Sequence, residues 1–451
     1  MKKKHEKIIQ NISLLIEQSD FESAAKYFDN TTLNEDTPAD LFFLLAIVLN
    51  GVKRNDESLE LYSRALRKSP NFWQAFHNRG TLLLQYSKFE ASISDLKNAL
   101  HIHDNIDSRI NLGIAFNNLA TEFIEAGEIK DALENYLQCR KYQPVCKEAI
   151  RNLCSLFAQV PYLFSDSESM LNYHFSEAGS EEPIIVQCYL MIIHLLSGNI
   201  EQFRLAHKHL RVSLLVNKES NETSFDVKFS TSYFNMLAQF TAEESEFFTN
   251  DKCPAIYHLG ESHCLSFSHQ RIIVRGQQMV IKPKIIFGAK VWHLVKTRPN
   301  RYRGILKSHI KSIPNNSIIF LSFGEIDCRQ NEGYLKKHLR FTETLKQSIE
   351  SDVKKYVSMI ADSFSNHNAE IFIFSVPAPV IENSELSEQD KSQISVIEFF
   401  NRTLCATSKV HKLGYVDTYN LTVNEKGISN RIFHSDARHL SARILSKLNL
   451  S

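Results

Sequence analysis

Small residues recur at a fixed interval through the first third of the chain, and this repeat constrains the fold more than any other feature. Ala24, Ser58 and Ser92 are each 34 residues apart, and Ala132 follows after 40. An aromatic residue or a leucine stands four positions after each of them, namely Phe28, Tyr62, Leu96 and Tyr136. This pattern predicts stacked pairs of amphipathic helices, with small residues where two helices touch.

A second set of positions repeats with the first. Three phenylalanines each precede a small residue by four positions, giving the pairs Phe42 and Ala46, Phe76 and Gly80, and Phe116 and Ala120. Pro70 and Pro144 close two units. The pattern resembles the tetratricopeptide repeat (TPR), whose period is 34 residues. We expect three units, over about 39–72, 73–106 and 113–146, and a degenerate unit before them. Six extra residues near 104–113 are expected to lie between units.

The resemblance implies an all-α solenoid whose groove binds a peptide or a protein partner. The alternative is that these helices only cap and stabilise the rest of the chain. Beyond the repeats, helices are predicted over 182–196 and 200–215, and a polar loop over 217–224. With 451 residues, the chain is expected to contain three parts: repeats over 1–152, an irregular helical extension over 153–250, and a different domain over 251–451.

The pattern changes after Cys253, where short apolar strands alternate with helices. The longest of these helices is predicted over 334–366. The predicted strands are 255–259, 271–274, 279–287, 317–323, 369–376 and 415–418. Such alternation predicts a mostly parallel sheet covered on both faces. Active sites of such folds lie at the carboxyl ends of the strands, where Ser262, Gly288 and the loop 324–327 would meet.

Ser262 and His439 are the strongest candidates for catalysis. Ser262 follows an apolar run and Gly260, so it is expected at a strand-to-helix turn. A serine hydroxyl is a poor nucleophile until an imidazole takes its proton. Asp436 precedes His439 by three residues and can hold that imidazole in the required tautomer. A separation well beyond about 4 Å between Ser262 and His439 would count against catalysis.

Residues 253–451 resemble the SGNH (GDSL-type) hydrolase superfamily. The segment 258–263 is similar to the family's Gly-Asp-Ser block, with Glu261 in place of the usual Asp, and 436–441 is similar to its Asp-x-x-His block. The resemblance implies an α/β/α, flavodoxin-like domain with Ser262 as nucleophile, His439 as base and Asp436 as its partner. It also implies an oxyanion hole formed by Ser262 and Gly288. The activity implied is hydrolysis or transfer of an acyl ester, such as an O-acetyl group on a glycan, without cofactor or metal.

The third family block, Gly-x-Asn-Asp, is altered in this chain. The segment 323–329 places Ile326 where the family has an asparagine that donates to the oxyanion. Losing one such donor costs about 10²–10³ in rate, and Arg329 is a candidate replacement. Glu325, Asp327 and Arg329 either form a structural network or contact substrate. The alternative to an esterase is therefore a catalytically silent domain in a TPR scaffold protein.

Composition and charge limit the classes of partner and the locations that are expected for this protein. The 52 basic and 51 acidic residues and the lack of interleaved aromatics give no support for nucleic-acid binding. No apolar run reaches transmembrane length, and the first residues lack a signal-peptide pattern, so a cytoplasmic protein with reduced cysteines is expected. Six basic residues within 296–311 form either a solvated helix face or a site for an anionic substrate. His258 is expected in the core, His263 as a polar lining residue, and His434 as a weaker candidate base.

Overall fold

The computed structural model describes residues 2–143, 146–163, 183–219, 224–241, 253–337, 340–383, 385–448 and 450. Pro144, which was predicted to close a repeat, and the predicted domain boundary near residue 250 lie outside these ranges. The chain divides into two compact units. One contains residues 1–123 and 130–150, and the other contains residues 124–129 and 151–451.

The first unit is built from consecutive helices joined by short turns. The helix bounds are α1 (Lys2–Glu17), α2 (Phe21–Asp29), α3 (Ala39–Gly51), α4 (Asn55–Lys68), α5 (Trp73–Gln85), α6 (Phe89–Ile102), α7 (Ile106–Ala126) and α8 (Ile129–Tyr142). Helix α3 packs on α4, and α5 packs on α6. The prediction of a mostly helical, TPR-like region is therefore confirmed.

The recurring small residues lie where paired helices touch. The Ser58 hydroxyl donates a hydrogen bond to the Ala46 carbonyl at 2.7 Å, and 34 residues later Ser92 donates to the Gly80 carbonyl at the same distance. A Cβ atom on Gly80 would lie 2.9 Å from Leu96 Cγ. Each pair thus repeats one close contact between helices, which explains the spacing in the sequence.

The third repeat differs from the prediction in one respect. Helix α7 begins at Ile106 and is 21 residues long, whereas α3 and α5 each have 13 residues. The extra residues near 104–113 therefore lengthen a helix instead of forming a loop between units. The Asn105 side chain accepts a hydrogen bond from the Ser108 backbone N–H at 2.8 Å, a contact typical of a helix N-cap.

Helices also precede the sheet in the second unit. Their bounds are Lys147–Gln159, which crosses from the first unit, Ile184–Leu196, Ile200–Glu219 and Phe225–Leu237, with 3₁₀ turns at Pro161–Leu163 and Ala238–Phe240. The helix predicted to begin at 182 starts at Ile184 within the described residues. The segment predicted as a loop from 217 remains helical as far as Glu219.

The second unit contains a six-stranded mixed sheet. Its strands are β1 (Ala255–Gly260), β2 (Arg271–Val274), β3 (Gln277–Ile285), β4 (Ile318–Ser322), β5 (Glu370–Phe374) and β6 (Gly414–Val416). Their spatial order is β2-β3-β1-β4-β5-β6. Strand β2 is antiparallel to β3, and the remaining pairs are parallel. All six strands lie within two residues of their predicted bounds.

The helices that follow strands in this unit differ from the prediction in length. The segment predicted as one helix over 334–366 contains a 3₁₀ turn at Tyr334–Lys337 and a helix at Glu343–Ser363. The second helix begins there because the Thr342 hydroxyl caps it by accepting from the Leu345 N–H. The longest described helix in this unit is instead Glu388–Val410, with 23 residues. The other elements are helices Val291–Val295, Arg301–Ser312 and Thr418–Thr422, and 3₁₀ turns Ser262–Phe267, Ile326–Cys328 and Ala442–Lys447.

Both faces of the sheet are buried, as expected for mostly parallel strands that are apolar on both sides. On one face, Ile256, Phe320 and Phe372 pack in a cluster with Phe267 and with residues of the C-terminal turn Ala442–Lys447. The alternate side chains are buried on the opposite face, among them Leu259, Ile319, Leu321, Ile371 and Ile373. Among the described residues, no helix combines the length and apolarity needed to span a membrane.

Candidate active site

Strand β1 delivers Ser262 to the carboxyl edge of the sheet. Gly260 ends the strand where only hydrogen fits, since a Cβ atom there would clash with the Ser322 hydroxyl of β4. Ser262 then opens the turn Ser262–Phe267 and is 8% exposed. The helix expected after Ser262 is thus a 3₁₀ segment of six residues. In place of the N-terminus of a regular helix, this edge of the sheet presents the backbone N–H groups of one short segment.

Ser262, His439 and Asp436 form a continuous hydrogen-bonded chain. Ser262 Oγ lies 2.8 Å from His439 Nε2, and His439 Nδ1 lies 2.8 Å from Asp436 Oδ2. Asp436 Oδ1 also accepts the backbone N–H groups of Arg438 and His439, each at 2.7 Å. Because a carboxylate only accepts, Nδ1 carries a hydrogen and Nε2 faces the serine.

The electrostatics of Asp436 fit this arrangement. Its partial burial alone would raise its pKa, but the hydrogen bond from His439, the nearby imidazole and two backbone N–H groups together hold the pKa of Asp436 well below its usual value. Asp436 therefore stays ionised through neutral pH and keeps the His439 ring in one orientation.

The Ser262 hydroxyl has a second acceptor that was not foreseen from the sequence. It donates to Glu261 Oε2 at 2.5 Å while also lying against His439. A hydroxyl carries one hydrogen, so it can donate to only one of these two acceptors at a time. Glu261 thus competes with His439 for the proton that a nucleophilic serine must give up.

Glu261 is also paired with His263 in a buried ion pair. His263 Nδ1 lies 2.5 Å from Glu261 Oε1, and His263 Nε2 lies 3.0 Å from the Arg438 carbonyl. Because both ring nitrogens face acceptors, the ring is satisfied only as an imidazolium. Burial lowers the pKa of His263, but the Glu261 charge outweighs burial and raises that pKa to about 9. Burial likewise raises the pKa of Glu261, but His263 outweighs it and lowers that pKa to about 2.

The altered third block is engaged with protein groups. Arg329 Nε donates to both Glu325 carboxylate oxygens, at 3.0 and 2.8 Å, and Arg329 Nη1 lies 3.0 Å from Glu332 Oε1. Arg329, the candidate replacement donor, is therefore held by two carboxylates. Ile326 is buried and has no side-chain donor.

Asp327 connects this block to the loop after β3. Its carboxylate accepts the Val291 N–H at 2.8 Å and the Trp292 N–H at 3.4 Å, at the start of helix Val291–Val295. Burial raises the pKa of Asp327 to about 7. The same two loops meet again where Lys290 Nζ donates to the Glu332 carbonyl at 2.8 Å and where the rings of Trp292 and Tyr334 pack edge to face.

Gly288 lies at the same edge of the sheet as Ser262. Residues Gly260 and Ile285 are partners in the register of β1 and β3, so both strands end together. Gly288 follows three residues later, is exposed, and has a φ of 65°, a conformation that favours glycine. A role for its N–H in an oxyanion hole remains a prediction.

The other histidines near the site have different surroundings. His258 is fully buried, with Nε2 2.9 Å from Ser322 Oγ and its ring 5.5 Å from the rings of both Phe267 and Phe374. Its Nδ1 has no partner among the described residues, so this core histidine is only half satisfied. His434 Nδ1 pairs with Ser429 Oγ at 2.8 Å, outside the Ser262 chain.

Glu261, His263 and Glu325 are the one group among the described residues whose ligand atoms cluster tightly enough to hold a metal ion, all within 4.8 Å of one another. Both Glu325 oxygens, however, already accept from Arg329, and the remaining two residues pair with each other. The donor set therefore fits a buried ion-pair network better than a metal site.

The basic stretch predicted near the site lies mostly on the surface. Lys296, Arg298, Arg301, Lys307 and Lys311 are exposed. Arg303 is partly buried, and its guanidinium donates to the Lys296 carbonyl at 2.5 Å. The exposure of these basic residues agrees with a helix face that is in contact with solvent.

Of the three comparisons with known proteins, the one with solved structures gives matches. No family model matches the sequence, and no curated protein matches it. Among solved structures, YrrB, described as a TPR protein with an unusual peptide-binding site, is 19% identical with a TM-score of 0.28 and covers 38% of this chain and 84% of its own. The Pseudomonas aeruginosa protein PilF is 14% identical with a TM-score of 0.32 and covers 51% of this chain and 98% of its own. The C-terminal part of a TPR repeat-containing protein from Cytophaga hutchinsonii is 13% identical with a TM-score of 0.34 and covers 49% and 86%.

Proposed function

We propose that residues 251–451 form a serine hydrolase or acyltransferase domain that acts on ester bonds, attached to a TPR-like protein-interaction region. The observation that carries the proposal is the chain Ser262–His439–Asp436, with both of its hydrogen bonds at 2.8 Å. The three residues come from opposite ends of the domain, and Ser262 and His439 are separated by 177 positions. This is the arrangement that activates a serine for attack on a carbonyl carbon.

In the proposed reaction, Ser262 Oγ attacks the acyl carbon while its proton passes to His439 Nε2. Asp436 stabilises the imidazolium that forms. Collapse of the tetrahedral intermediate breaks the ester bond, and the departing alcohol takes the proton from His439. Water or an acceptor hydroxyl then attacks the acyl-serine, with His439 acting again as base, and the free Ser262 is restored.

Stabilisation of the oxyanion is expected to be weaker than in the SGNH family that the domain resembles. Ile326 offers no donor, and Arg329 is held by Glu325 and Glu332. The proposed donors are therefore backbone N–H groups of Ser262 and Gly288. Loss of one donor costs about 10²–10³ in rate, so we expect slow turnover on simple esters.

The substrate class follows from the resemblance alone. The five parallel strands have the order 2-1-3-4-5, which is the flavodoxin-like order and is consistent with an SGNH-type domain. We therefore propose an acyl ester, such as an O-acetyl group on a carbohydrate, as the substrate, and a peptide or protein as the partner of the helical repeats.

The test is labelling with a fluorophosphonate probe, which reacts with activated serines. Wild-type protein should be labelled, and both Ser262→Ala and His439→Ala should abolish labelling. Ser266→Ala is the matched control, because Ser266 is a buried serine of the same 3₁₀ segment and its hydroxyl has no partner in the described structure. Unchanged labelling in Ser262→Ala, or loss in Ser266→Ala alone, would contradict the assignment.

A second candidate function is a catalytically silent domain within a TPR scaffold. Two observations favour it: Ile326 replaces the family's donor, and Glu261 holds the Ser262 hydroxyl at 2.5 Å. No labelling of folded wild-type protein at any pH from 6 to 9 would support this candidate. Affinity capture with the full-length protein would then identify what the helical repeats bind.

A further inference from the structure

A cavity of about 220 Å³ lies within the second unit, on the face of the sheet opposite the cluster that contains Ile256 and Phe320. Its polar lining includes Lys282, Lys284, Tyr257, Tyr162, His269 and His309, and no aspartate or glutamate is among the described residues that line it. The alternation of β3 turns Lys282 and Lys284 to this face together.

Lys284 is a partly buried charged residue of the cavity lining. Its ammonium lies 4.6 Å from the ring centroid of Tyr162 and 5.7 Å from that of Tyr257. Among the described residues, no carboxylate forms a salt bridge with it. Burial, together with the neighbouring charge of Lys282, lowers the pKa of Lys284 to about 8. Lys284 therefore brings to this cavity a positive charge that no described carboxylate neutralises.

The histidines of the cavity are occupied by other partners. His309 Nε2 lies 3.0 Å from the Ile285 carbonyl, to which it must donate, and His309 Nδ1 lies 3.1 Å from the Tyr162 hydroxyl. His309 is therefore neutral, with Nδ1 accepting from Tyr162. His269 Nε2 similarly donates to the Leu196 carbonyl at 3.2 Å. The charged side chain of the lining that can pair with a ligand here is that of Lys284.

We propose that this cavity binds a small organic anion whose carboxylate or phosphate group pairs with Lys284. A partly buried ammonium without a counter-charge is less well stabilised than one in water, and an anion offsets that cost. The volume exceeds the roughly 150 Å³ that accommodates a six-membered ring, and the two tyrosine rings offer flat surfaces for the remainder of such a ligand. The site is separate from Ser262, and its existence does not depend on esterase activity.

The test uses ligands that share one ring and differ in charge. Titration calorimetry with benzoate and with phenyl phosphate should show saturable binding to the full-length protein, and benzyl alcohol should bind at least 10-fold more weakly. The anion with the higher affinity shows whether the cavity prefers a carboxylate or a phosphate group. The Lys284→Met variant should weaken binding of that anion at least 10-fold, whereas Lys307→Met, which removes an exposed lysine of the same unit, should leave it unchanged.

A second measurement uses wild-type protein, so its result does not depend on whether the variant folds. Acetic anhydride modification followed by peptide mass spectrometry should show slower acetylation of Lys284, but not of Lys307, when the bound anion is present. Equal binding of the uncharged ligand, equal binding by Lys284→Met, or no protection of Lys284 would overturn the proposal.

Discussion

Replacement of His263 by glutamine is expected to destabilise the second unit by about 3 kcal/mol. His263 and Glu261 are 5% and 1% exposed and lie 2.5 Å apart, so the variant leaves Glu261 buried without its counter-charge. Removing one partner of a buried ion pair costs about 3–5 kcal/mol. We expect the lower end because glutamine can still donate one hydrogen bond to Glu261.

The pH dependence gives an independent check. The pKa of His263 is raised to about 9 in the folded protein from 6.5, so its contribution to stability is complete below pH 6.5 and is lost as pH rises through 9. The pKa of Glu261 is depressed to about 2 from 4.5, so its contribution is present above pH 4.5 and is lost as pH falls through 2. Between pH 6.5 and 9.5, wild-type stability should therefore fall towards that of the variant.

The assay is urea unfolding followed by tryptophan fluorescence. The chain has two tryptophans, Trp73 in the first unit and Trp292 in the second, so a Trp73→Phe background makes the signal specific for the second unit. The double variant Glu261→Gln/His263→Gln, which buries no net charge, should recover at least half of the loss. A loss below about 1 kcal/mol at pH 6.5, or a difference that does not shrink by pH 9.5, would refute the ion-pair argument.

Three other substitutions test separate parts of the structure. Ser92→Ala should cost about 0.5–1.5 kcal/mol, because the Gly80 carbonyl keeps its partner within helix α5 but loses the buried hydrogen bond from the Ser92 hydroxyl. Thermal unfolding read by Trp73 fluorescence measures this change, and no measurable change would contradict the close-contact explanation. Asp327→Asn should leave stability at pH 8 unchanged or increased, since asparagine can still accept the Val291 N–H and buries no charge. A loss of more than about 1 kcal/mol in urea unfolding would argue that the ionised carboxylate is needed. Asp436→Asn should slow fluorophosphonate labelling at least about 100-fold, because the amide cannot hold His439 in the same tautomer, and labelling at the wild-type rate would contradict the role proposed for Asp436.

The elements that could be predicted from sequence are those with a local pattern. All six strands were found within two residues because each is a short apolar run between polar or turn-forming residues. The helix predicted over 334–366 was wrong at its start because apolar periodicity does not reveal that Thr342 caps a new helix. The extra residues near 104–113 were expected between units and instead lengthen helix α7. Repeat spacing locates an insertion but does not give its conformation.

The site was only partly predictable. The spacing of Asp436 and His439 and the position of Ser262 after a strand were enough to nominate three residues that the fold brings together. The contacts of Glu261 with Ser262 and His263 were missed, because closeness in sequence does not give side-chain direction and a regular helix had been expected there. Asp327 was considered for substrate binding, but its hydrogen bonds to residues 291 and 292 depend on tertiary structure.

The contacts between the loops after β3 and β4 bear on how a ligand can enter the carboxyl edge. Asp327 holds the start of helix Val291–Val295, Lys290 reaches back to the Glu332 carbonyl, and Trp292 packs on Tyr334. We expect two loops joined at three points to move together. Under the proposed function, this side of the edge would act as a fixed wall, and adjustment to a ligand would fall to the other loops that border Ser262.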